Sequence, residues 1–465
     1  MLKHIVKKTG IGLLCAVMAG FFLCPSFGGV LAKEPLVIVI DPGHGGENLG
    51  AEYGGYTEKE LTMTVAKAMK EELEKFEQVV VYLTHDTDVD MSIEQRALFA
   101  REKNADFLFC LHFNMSAEHD LFGAEVWVPA GGEYYAKGYS FAEIEMAELT
   151  ETGLYSRGIK TKLNDRGDNY YGILRYCSRE QVPSVLIEHC HLDHEKDQKF
   201  YQQSKEQLKE FGRLDALAAA KYFKLRSEEL GVDYSDYPVP ETAVPSGMVM
   251  PDKTKPELCR IEVEEVNKET GDVTVRMEAS DSDSYILYYK YSLDGGNTYS
   301  MADAWPRADG WNQSDSDYSF TVRVPFDKEI TFKAAASNGF DVWAESNEIV
   351  LESIADPERL KAEAEQKALE EEQRMAEQKA LDEEQRMAEQ TALEEEQRMA
   401  EQKALGEDKA QLSETDKEGN SQGRSILTNP AVVLLLVAVI IACMFFVAFY
   451  LAKSIFLLIK GNKKR

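Results

Sequence analysis

The feature that most constrains the fold of this chain is an alternation of short apolar runs with helical stripes between residues 36 and 225. The runs that predict strands cover residues 36–40, 79–83, 107–111, 124–128 and 185–187. Strands that alternate with helices favour a largely parallel sheet with helices on its faces. Thr57 and Glu60 form a capping-box pattern, which predicts that the first helix begins at Glu58. We therefore predict an α/β domain over residues 33–225.

Four polar residues stand where these predicted elements meet. His44, His112 and Glu188 each follow or end an apolar run, and Glu58 opens the first helix. Since the carboxyl ends of parallel strands converge on one crevice, distant residues can meet there. His44, Glu58 and His112 offer the nitrogen and carboxylate donors that a catalytic Zn²⁺ prefers. Asp41 is placed to orient the His44 imidazole by accepting a hydrogen bond. Taken singly, each residue also has a structural explanation, as a hydrogen-bonded rim histidine or a carboxylate at a helix start.

Both ends of the chain carry apolar segments with basic residues beside them. Residues 1–32 combine lysines, an apolar stretch and a small-residue ending, which predicts a signal peptide cleaved after Ala32, with an uncleaved anchor as the alternative. Residues 431–452 are almost wholly apolar and would span about 33 Å as a helix, enough to cross a bilayer. The basic tail 453–465 follows. We predict a single-pass cell-membrane protein whose N-terminal domains are extracellular and whose short C-terminal tail is cytoplasmic.

A second folded domain is predicted after the α/β domain. Residues 226–257 are rich in proline and have little apolar periodicity, which predicts a linker. Alternating apolar residues then predict a short-stranded, Ig-like β-sandwich over residues 258–355. The predicted strands are 260–266, 273–277, 286–291, 320–324 and 331–335. Trp305, Trp311 and Trp343 could form a sugar-binding platform, although buried aromatics are the commoner arrangement in a sandwich.

A twelve-residue unit ending in Glu-Glu-Gln-Arg-Met recurs within residues 356–412. Acidic residues stand four positions before the arginines, the favourable order for ion pairs on an exposed helix. Twelve residues at ~100° each rotate the pattern by ~120°, so the apolar residues spiral around the helix. We predict a long charged helical stalk, with a coiled-coil dimer as the weaker alternative, and a flexible joint over residues 413–430. The oligomeric state stays open.

The charge balance excludes one class of partner. Lysine and arginine total 52 and aspartate and glutamate total 81, for a formal net charge of −29. A phosphate backbone would be repelled by this excess of acid, so no nucleic-acid partner is expected.

Five motifs occur in order and together resemble one family. They are DPGHGG at 41–46, TEKEL at 57–61, the stretch 84–96 that ends in the SIEQR motif, LHFN at 111–114 and VPSVLIE at 182–188. The combination is similar to N-acetylmuramoyl-L-alanine amidases of the type 3 zinc class, over residues 36–225, under half of the chain. The resemblance implies a zinc amidase domain in which His44, Glu58 and His112 hold Zn²⁺. It also implies that Glu188 is the catalytic acid. The substrate that it implies is peptidoglycan, at the muropeptide amide between the lactyl group of muramic acid and L-alanine.

The chain departs from the family near the predicted site. The family usually has Thr-Gly-Phe-Leu-Ser-Asn after the glutamate, whereas this chain has His-Cys-His-Leu-Asp-His at 189–194. His189 and His191 share one face of a continuing strand, so a second metal or altered substrate contacts are alternatives to hydrogen-bonded histidines. The role of His194 is open, and His85 stands where an arginine is common.

These expectations combine into one predicted function and two alternatives. We predict a membrane-anchored extracellular peptidoglycan hydrolase that cleaves the muramoyl amide with zinc-activated water. The first alternative is a catalytically silent cell-wall binding or sensing protein on a membrane stalk, because the altered stretch after Glu188 could spoil the pocket. The second is a structural adhesin that acts through the sandwich.

Overall fold

The computed structural model describes residues 34–307 and 317–410, without the side chains of residues 404–410. The described residues fall into two compact units, one ending at Glu363 and the other beginning at Ala364. The first unit holds a mixed α/β fold followed by a β-sandwich, and the second consists of the greater part of one long helix.

A six-stranded sheet forms the centre of the α/β part. The strands of this part are β1 (Leu36–Pro42), β2 (Glu52–Tyr53), β3 (Tyr56–Thr57), β4 (Val79–Leu83), β5 (Phe107–Asn114), β6 (Ala124–Trp127), β7 (Ser156–Lys160) and β8 (Ser184–His191). The order in the sheet is β4–β1–β5–β8–β6–β7, and all neighbours are parallel except β8 and β6. β2 and β3 pair with each other outside it. The sheet is therefore largely parallel, in agreement with the alternation of the sequence.

Helices cover both faces of this sheet. They are α1 (Glu58–Leu73), α2 (Ile93–Glu102), α3 (Gly132–Glu151), α4 (Gly172–Arg179), α5 (Glu195–Gln198) and α6 (Lys205–Tyr222). Along β1, Ile38 and Ile40 pack into the core that contains residues of α1, α3 and α6, whereas Val39 packs with residues of α2 and α4. Each of these three side chains is completely buried. With both faces covered, polar side chains reach a cleft only where the strands end.

The first helix begins at Glu58 as predicted, but the predicted capping box is wrong. Thr57 is the N-cap residue, and its side chain accepts no hydrogen bond from the helix. The backbone N–H groups of Glu58 and Lys59 instead donate to the carbonyl oxygens of Ala51 at 2.9 Å and Leu49 at 3.1 Å. The loop after β1 thus satisfies the helix start and ties Glu58 to that loop.

A β-sandwich follows a short hairpin. The strands are β9 (Arg226–Ser227), β10 (Val232–Asp233), β11 (Leu258–Val266), β12 (Asp272–Ser280), β13 (Ile286–Ser292), β14 (Asp303–Ala304), β15 (Asp317–Arg323), β16 (Ile330–Asn338), β17 (Trp343–Glu345) and β18 (Ile349–Leu351). One sheet has the order β11–β12–β15, and the other has β14–β13–β16–β17 with β18 beside β16. Trp305 is completely buried between them and Trp343 is half-buried, while Trp311 lies outside the described residues. Trp305 is a core residue, so it cannot belong to a sugar-binding platform.

The repeats form a single helix, α7 (Pro357–Ala410). Its side chains are exposed through residue 403, including the apolar Leu381 and Met387. The leucines and methionines face different directions around the helix, as the twelve-residue period predicts.

The fold class that we predicted needs a correction at its C-terminal end. We predicted one transmembrane helix over residues 431–452, but no helix within the described ranges 34–307 and 317–410 has the length and apolarity to cross a membrane. The long helix α7 is covered with charged and amide side chains, which a bilayer core would not accommodate. The range 431–452 itself lies outside the described residues, as do the predicted signal peptide, flexible joint and cytoplasmic tail. The fold class supported here is therefore a mixed α/β fold with a β-sandwich and a long charged helix, without the transmembrane helix.

Candidate active site

His44, Glu58 and His112 come together at the carboxyl ends of β1 and β5. His44 follows β1, His112 lies near the end of β5, and Glu58 is the first residue of α1. Their ligand atoms lie within 4.8 Å of one another, and no other such group of three or more His, Cys, Asp or Glu residues occurs in the described part of the chain. The two imidazole rings are nearly perpendicular, with centroids 4.9 Å apart and an interplanar angle of 81°. The three predicted metal ligands therefore share one place in the fold.

The Glu58 carboxylate lies between the two imidazoles and is held by main-chain donors. Its Oε2 accepts from the backbone N–H of Ala51 at 2.9 Å and lies 2.9 Å from Nε2 of His44. Its Oε1 accepts from the backbone N–H of Phe113 at 3.0 Å and lies 2.8 Å from Nδ1 of His112. Burial alone would raise the pKa of Glu58, but the hydrogen bonds and charges of His112 and His44 outweigh burial and hold that pKa well below its ordinary value. The group is therefore a carboxylate at neutral pH.

His44 is held in a backbone conformation that is uncommon for a residue with a side chain. Its φ is 68°, in the left-handed region, which costs free energy for any residue but glycine. The Arg96 guanidinium, buried on α2, offsets this cost by donating from Nη2 to the carbonyl oxygen of His44 at 2.5 Å. The conformation turns the imidazole towards Glu58. Arg96 closes the SIEQR motif, but the sequence alone did not reveal this role.

The predicted role of Asp41 is wrong. The imidazole of His44 makes no hydrogen bond to Asp41 and instead has Asn48 and Glu58 as its partners. Its Oδ1 accepts from Nη1 of Arg96 at 2.8 Å and from the hydroxyl of Thr84 at 2.6 Å. The ring is oriented instead by Asn48, whose Oδ1 lies 3.0 Å from Nδ1 of His44. Asp41 pairs with Arg96 because a buried guanidinium needs a carboxylate partner. An imidazole has less need of such a partner.

Two glycines allow the metal-ligand residues to approach the main chain. A Cβ at Gly43 would lie 2.5 Å from Cε1 of His112, and a Cβ at Gly50 would lie 2.5 Å from Oε2 of Glu58. Neither distance is available to a real side chain, so the loop after β1 can pass this close only with glycine at both positions.

Glu188 lies beside His112 on the neighbouring strand β8. The two residues are partners in the register of β5 and β8, and both line a cavity of about 180 Å³ together with His44. Glu188 is 8% exposed, and its Oε2 makes no hydrogen bond to any described residue. Burial raises the pKa of Glu188 well above its ordinary value, and the nearby charge of Glu58 adds to that increase. A carboxyl group of this kind, beside an open cavity, is suited to exchanging a proton.

The histidines after Glu188 are part of the interior. His189 and His191 are buried near the end of β8, and neither belongs to a metal-ligating group in the described residues. Nδ1 of His189 lies 3.0 Å from the carbonyl oxygen of His112, and Nε2 lies 3.1 Å from both carboxylate oxygens of Asp215. Burial lowers the pKa of His189 to about 4, so this ring is neutral at neutral pH. These contacts do not support the alternative of a second metal.

His194 has a local structural role. Its side chain accepts a hydrogen bond from the backbone N–H of Lys196 at the start of α5, and its ring stacks on Phe122 with centroids 4.7 Å apart. His85 is also buried, beside Thr84, and burial lowers its pKa. Neither ring lines the cavity that contains Glu188.

Comparison with known proteins gives similarities to named amidases over parts of the α/β region. The chain is 36% identical over 110 residues to the probable N-acetylmuramoyl-L-alanine amidase AmiB of Haemophilus influenzae, covering 23% of this chain and 26% of that protein. It is 38% identical over 78 residues to the amidase CwlM of Bacillus licheniformis, covering 17% and 31%. It is 28% identical over 166 residues to the amidase LytC of Bacillus subtilis, covering 34% and 30%. The chain thus spans about a quarter to a third of the length of these relatives.

Solved structures give weaker similarities. Cwp6 from Clostridium difficile matches with a TM-score of 0.38 and 27% identity, over 41% of this chain and 30% of that one. The catalytic domain of the amidase CwlV from Bacillus (Paenibacillus) polymyxa matches with a TM-score of 0.36 and 22% identity, over 41% and 99%.

The match to a family profile covers the strands and helices that build the site. Residues 38–213 match the profile named Amidase_3, N-acetylmuramoyl-L-alanine amidase. This range begins in β1, ends in α6 and contains His44, Glu58, His112 and Glu188. Residues 38–213 are therefore a segment of the type 3 N-acetylmuramoyl-L-alanine amidase family.

Proposed function

We propose that this chain is a zinc-dependent peptidoglycan hydrolase that cleaves the amide between the lactyl group of N-acetylmuramic acid and L-alanine. One observation carries the proposal. In a segment that matches the amidase family, two imidazoles and a buried carboxyl group with an unpartnered oxygen line one cavity, and an ionised carboxylate joins the two imidazoles.

The donor set fits a catalytic zinc ion. His44, Glu58 and His112 would hold the ion, since two imidazoles and one carboxylate form the ligand set of catalytic sites that keep a fourth position for water or substrate. The ion, when bound, supplies Lewis-acid polarisation of the amide carbonyl and lowers the pKa of a water molecule. Glu58 suits this role because main-chain donors fix its two oxygens and its pKa is held low.

Glu188 is the group that we assign to proton transfer. It takes the proton of the attacking water and returns it to the nitrogen of the departing L-alanine, which must leave as an amine. Its raised pKa supports this assignment, because a carboxyl group with an ordinary pKa would hold a proton too weakly to deliver it at neutral pH. Arg96 and Asn48 are positioning residues on the His44 side of the cavity.

The partner proposed for the cavity is peptidoglycan, which lies outside the cytoplasm. The function therefore requires export, for which the signal peptide over residues 1–32 is the predicted route. That segment lies outside the described residues, so an extracellular location is part of this proposal.

The proposal is tested with the purified full chain and isolated peptidoglycan. We expect new L-alanine amino termini to be released, the release to stop with a metal chelator and to return when zinc is added. His112→Ala should abolish both bound zinc and release. The matched control is His119→Ala, because His119 is an exposed histidine that contacts Asp193 and lies outside the metal-ligating group.

Two results would contradict the proposal. Peptidoglycan binding without any release of amino termini would identify the chain as the silent binding protein considered above. Full release by His112→Ala would show that the three-residue group is not the reaction centre.

A further inference from the structure

The β-sandwich packs against the α/β part through a buried aromatic interface near the sheet edge that β6 and β7 form. Phe122, just before β6, lies in one cluster with Leu287 and Tyr288 of β13, and all three are buried. The Tyr288 hydroxyl donates to the carbonyl oxygen of Phe122. The single proton of the Tyr155 hydroxyl, next to β7, is shared between the carbonyl oxygens of Leu287 at 2.5 Å and Trp305 at 3.2 Å. Hydroxyls that are buried and bonded across the interface make this a fixed contact.

Arg157 of β7 is a charged residue whose side chain bonds to residues on both sides of this interface. It is 2% exposed, and its three donor positions reach three different partners. Nε donates to Oε2 of Glu125 in β6 at 2.9 Å, Nη1 donates to the hydroxyl of Tyr288 at 3.0 Å, and Nη2 donates to Oδ2 of Asp341 at 2.7 Å. Two of the three partners, Tyr288 and Asp341, belong to the sandwich. Because a guanidinium is a rigid planar fork, those two contacts set the orientation of the third.

Glu125 brings this network next to the reaction centre. It is paired with Glu188 in the antiparallel register of β6 and β8, so the two acids are cross-strand neighbours. Acids in directly opposite positions repel each other unless a cation compensates one of them. The Oε2 of Glu125 is compensated by Arg157 and by Lys160, whose Nζ lies 2.8 Å away, and its Oε1 accepts from Nδ2 of Asn114 at 2.9 Å.

Two neighbouring cavities also place this network beside the reaction centre. A cavity of about 580 Å³ is lined by Glu125, Arg157 and Asp341, and it shares Tyr171 with the smaller cavity that contains Glu188. The sandwich thus forms part of the wall beside the reaction centre.

We propose that Arg157 is a positioning residue for Glu188, held in place by Tyr288 and Asp341, so that the β-sandwich is a working part of the hydrolase. The proposal rests on the function proposed above. Arg157 acts by fixing the carboxylate of Glu125 and thereby the position of the Glu188 carboxyl group. It touches neither the metal-ligand residues nor the smaller cavity. An independent wall-binding module would have no reason to complete a buried ion network beside the catalytic strand.

The experiment substitutes a residue of the β-sandwich and measures the rate of amide hydrolysis. In the full chain, Asp341→Asn removes one charge from a partly exposed side chain and keeps its shape. The matched control is Asp272→Asn, which removes the same charge from an exposed pair with Arg323 in the other sheet of the sandwich. We expect Asp341→Asn to lower kcat on a soluble muropeptide roughly tenfold, less than the roughly hundredfold cost of a misplacement of about 1 Å, because the effect reaches Glu188 only through Arg157 and Glu125. KM and zinc content should stay at the wild-type values, and the control should match wild type throughout.

A double variant tests whether Asp341 acts on Glu188 through Arg157. If Asp341 acts through Arg157, then Asp341→Asn should cause no further loss of kcat in an Arg157→Lys background. Tyr288→Phe provides a second sandwich variant and should also lower kcat without changing KM.

The outcomes separate this proposal from the one on which it rests. Wild-type chain without amidase activity overturns both. Active wild type with an Asp341→Asn variant that matches the Asp272→Asn control overturns the positioning role alone. Additive losses in the double variant also overturn it, because they would place the effect of Asp341 outside Arg157.

Discussion

Replacing Glu188 with glutamine gives the most direct test of the assigned chemistry. Glutamine has nearly the same volume as glutamate and fits the same cavity, but it cannot take or return a proton. A positioned acid–base group contributes about 10²- to 10⁴-fold to a rate, which corresponds to about 3–5 kcal/mol of activation free energy. We therefore expect kcat to fall by about 10²- to 10⁴-fold in Glu188→Gln.

The same substitution should leave the fold intact. Burial already penalises the ionised form of Glu188, and its Oε2 has no hydrogen-bond partner among the described residues. Since the glutamine removes an acid and breaks no observed hydrogen bond, we expect the free energy of unfolding to change by less than about 1 kcal/mol. Zinc content should also be unchanged, because Glu188 is not one of the three residues whose ligand atoms cluster.

The assay is release of L-alanine amino termini from a soluble muropeptide, with zinc content and denaturant unfolding measured on the same protein. Glu180→Gln is the control, since Glu180 follows α4 and pairs with Arg101 on the surface. A Glu188→Gln variant that kept zinc, fold and more than about a tenth of wild-type kcat would refute the assigned role, because that loss is below what an acid–base group contributes.

Three further predictions address the loop, the core and pH. Gly43→Ala should weaken zinc binding, because the new Cβ would lie 2.5 Å from Cε1 of His112. The control is Gly247→Ala, whose new Cβ would have no heavy atom within 4 Å and should leave zinc binding unchanged. Titration of both variants with zinc tests this prediction. Gly212→Ala should destabilise the fold by about 1–3 kcal/mol in denaturant unfolding, because its Cβ would lie 2.3 Å from a carbonyl oxygen of α1. Burial raises the pKa of Asp197 from 3.8 to about 6, so the folded carboxyl group keeps a proton that the unfolded one has lost. Wild type should therefore lose stability relative to Asp197→Asn as pH rises from about 4 to about 6, by up to about 3 kcal/mol, and a pH-independent difference would contradict this.

The sequence predicted the strands that build the site better than it predicted where they end. The apolar run 107–111 marks β5, but the strand continues to Asn114. The run 185–187 marks β8, which continues to His191. In both cases the extra residues include polar or ionisable side chains, whose burial depends on neighbours that come from elsewhere in the chain.

One strand of the six-stranded sheet was not predicted. β7 has the sequence Ser-Arg-Gly-Ile-Lys, which has no apolar run or alternation. All five residues are nevertheless buried, because Glu125 and the sandwich provide partners for Arg157 and Lys160. Local pattern cannot signal a strand whose charged side chains are stabilised by residues far along the chain.

The sequence by itself determined the local elements and the residue types of the site. The alternation of apolar runs, the glycines around His44 and the motif order depend on neighbouring residues, so they can be read without coordinates. Only the tertiary structure decided which groups meet. The pairs that define the site and its support lie 54 residues apart for Glu58 and His112, and 184 apart for Arg157 and Asp341. The free energy of each such contact arises from burial and geometry, which exist only once the chain has folded.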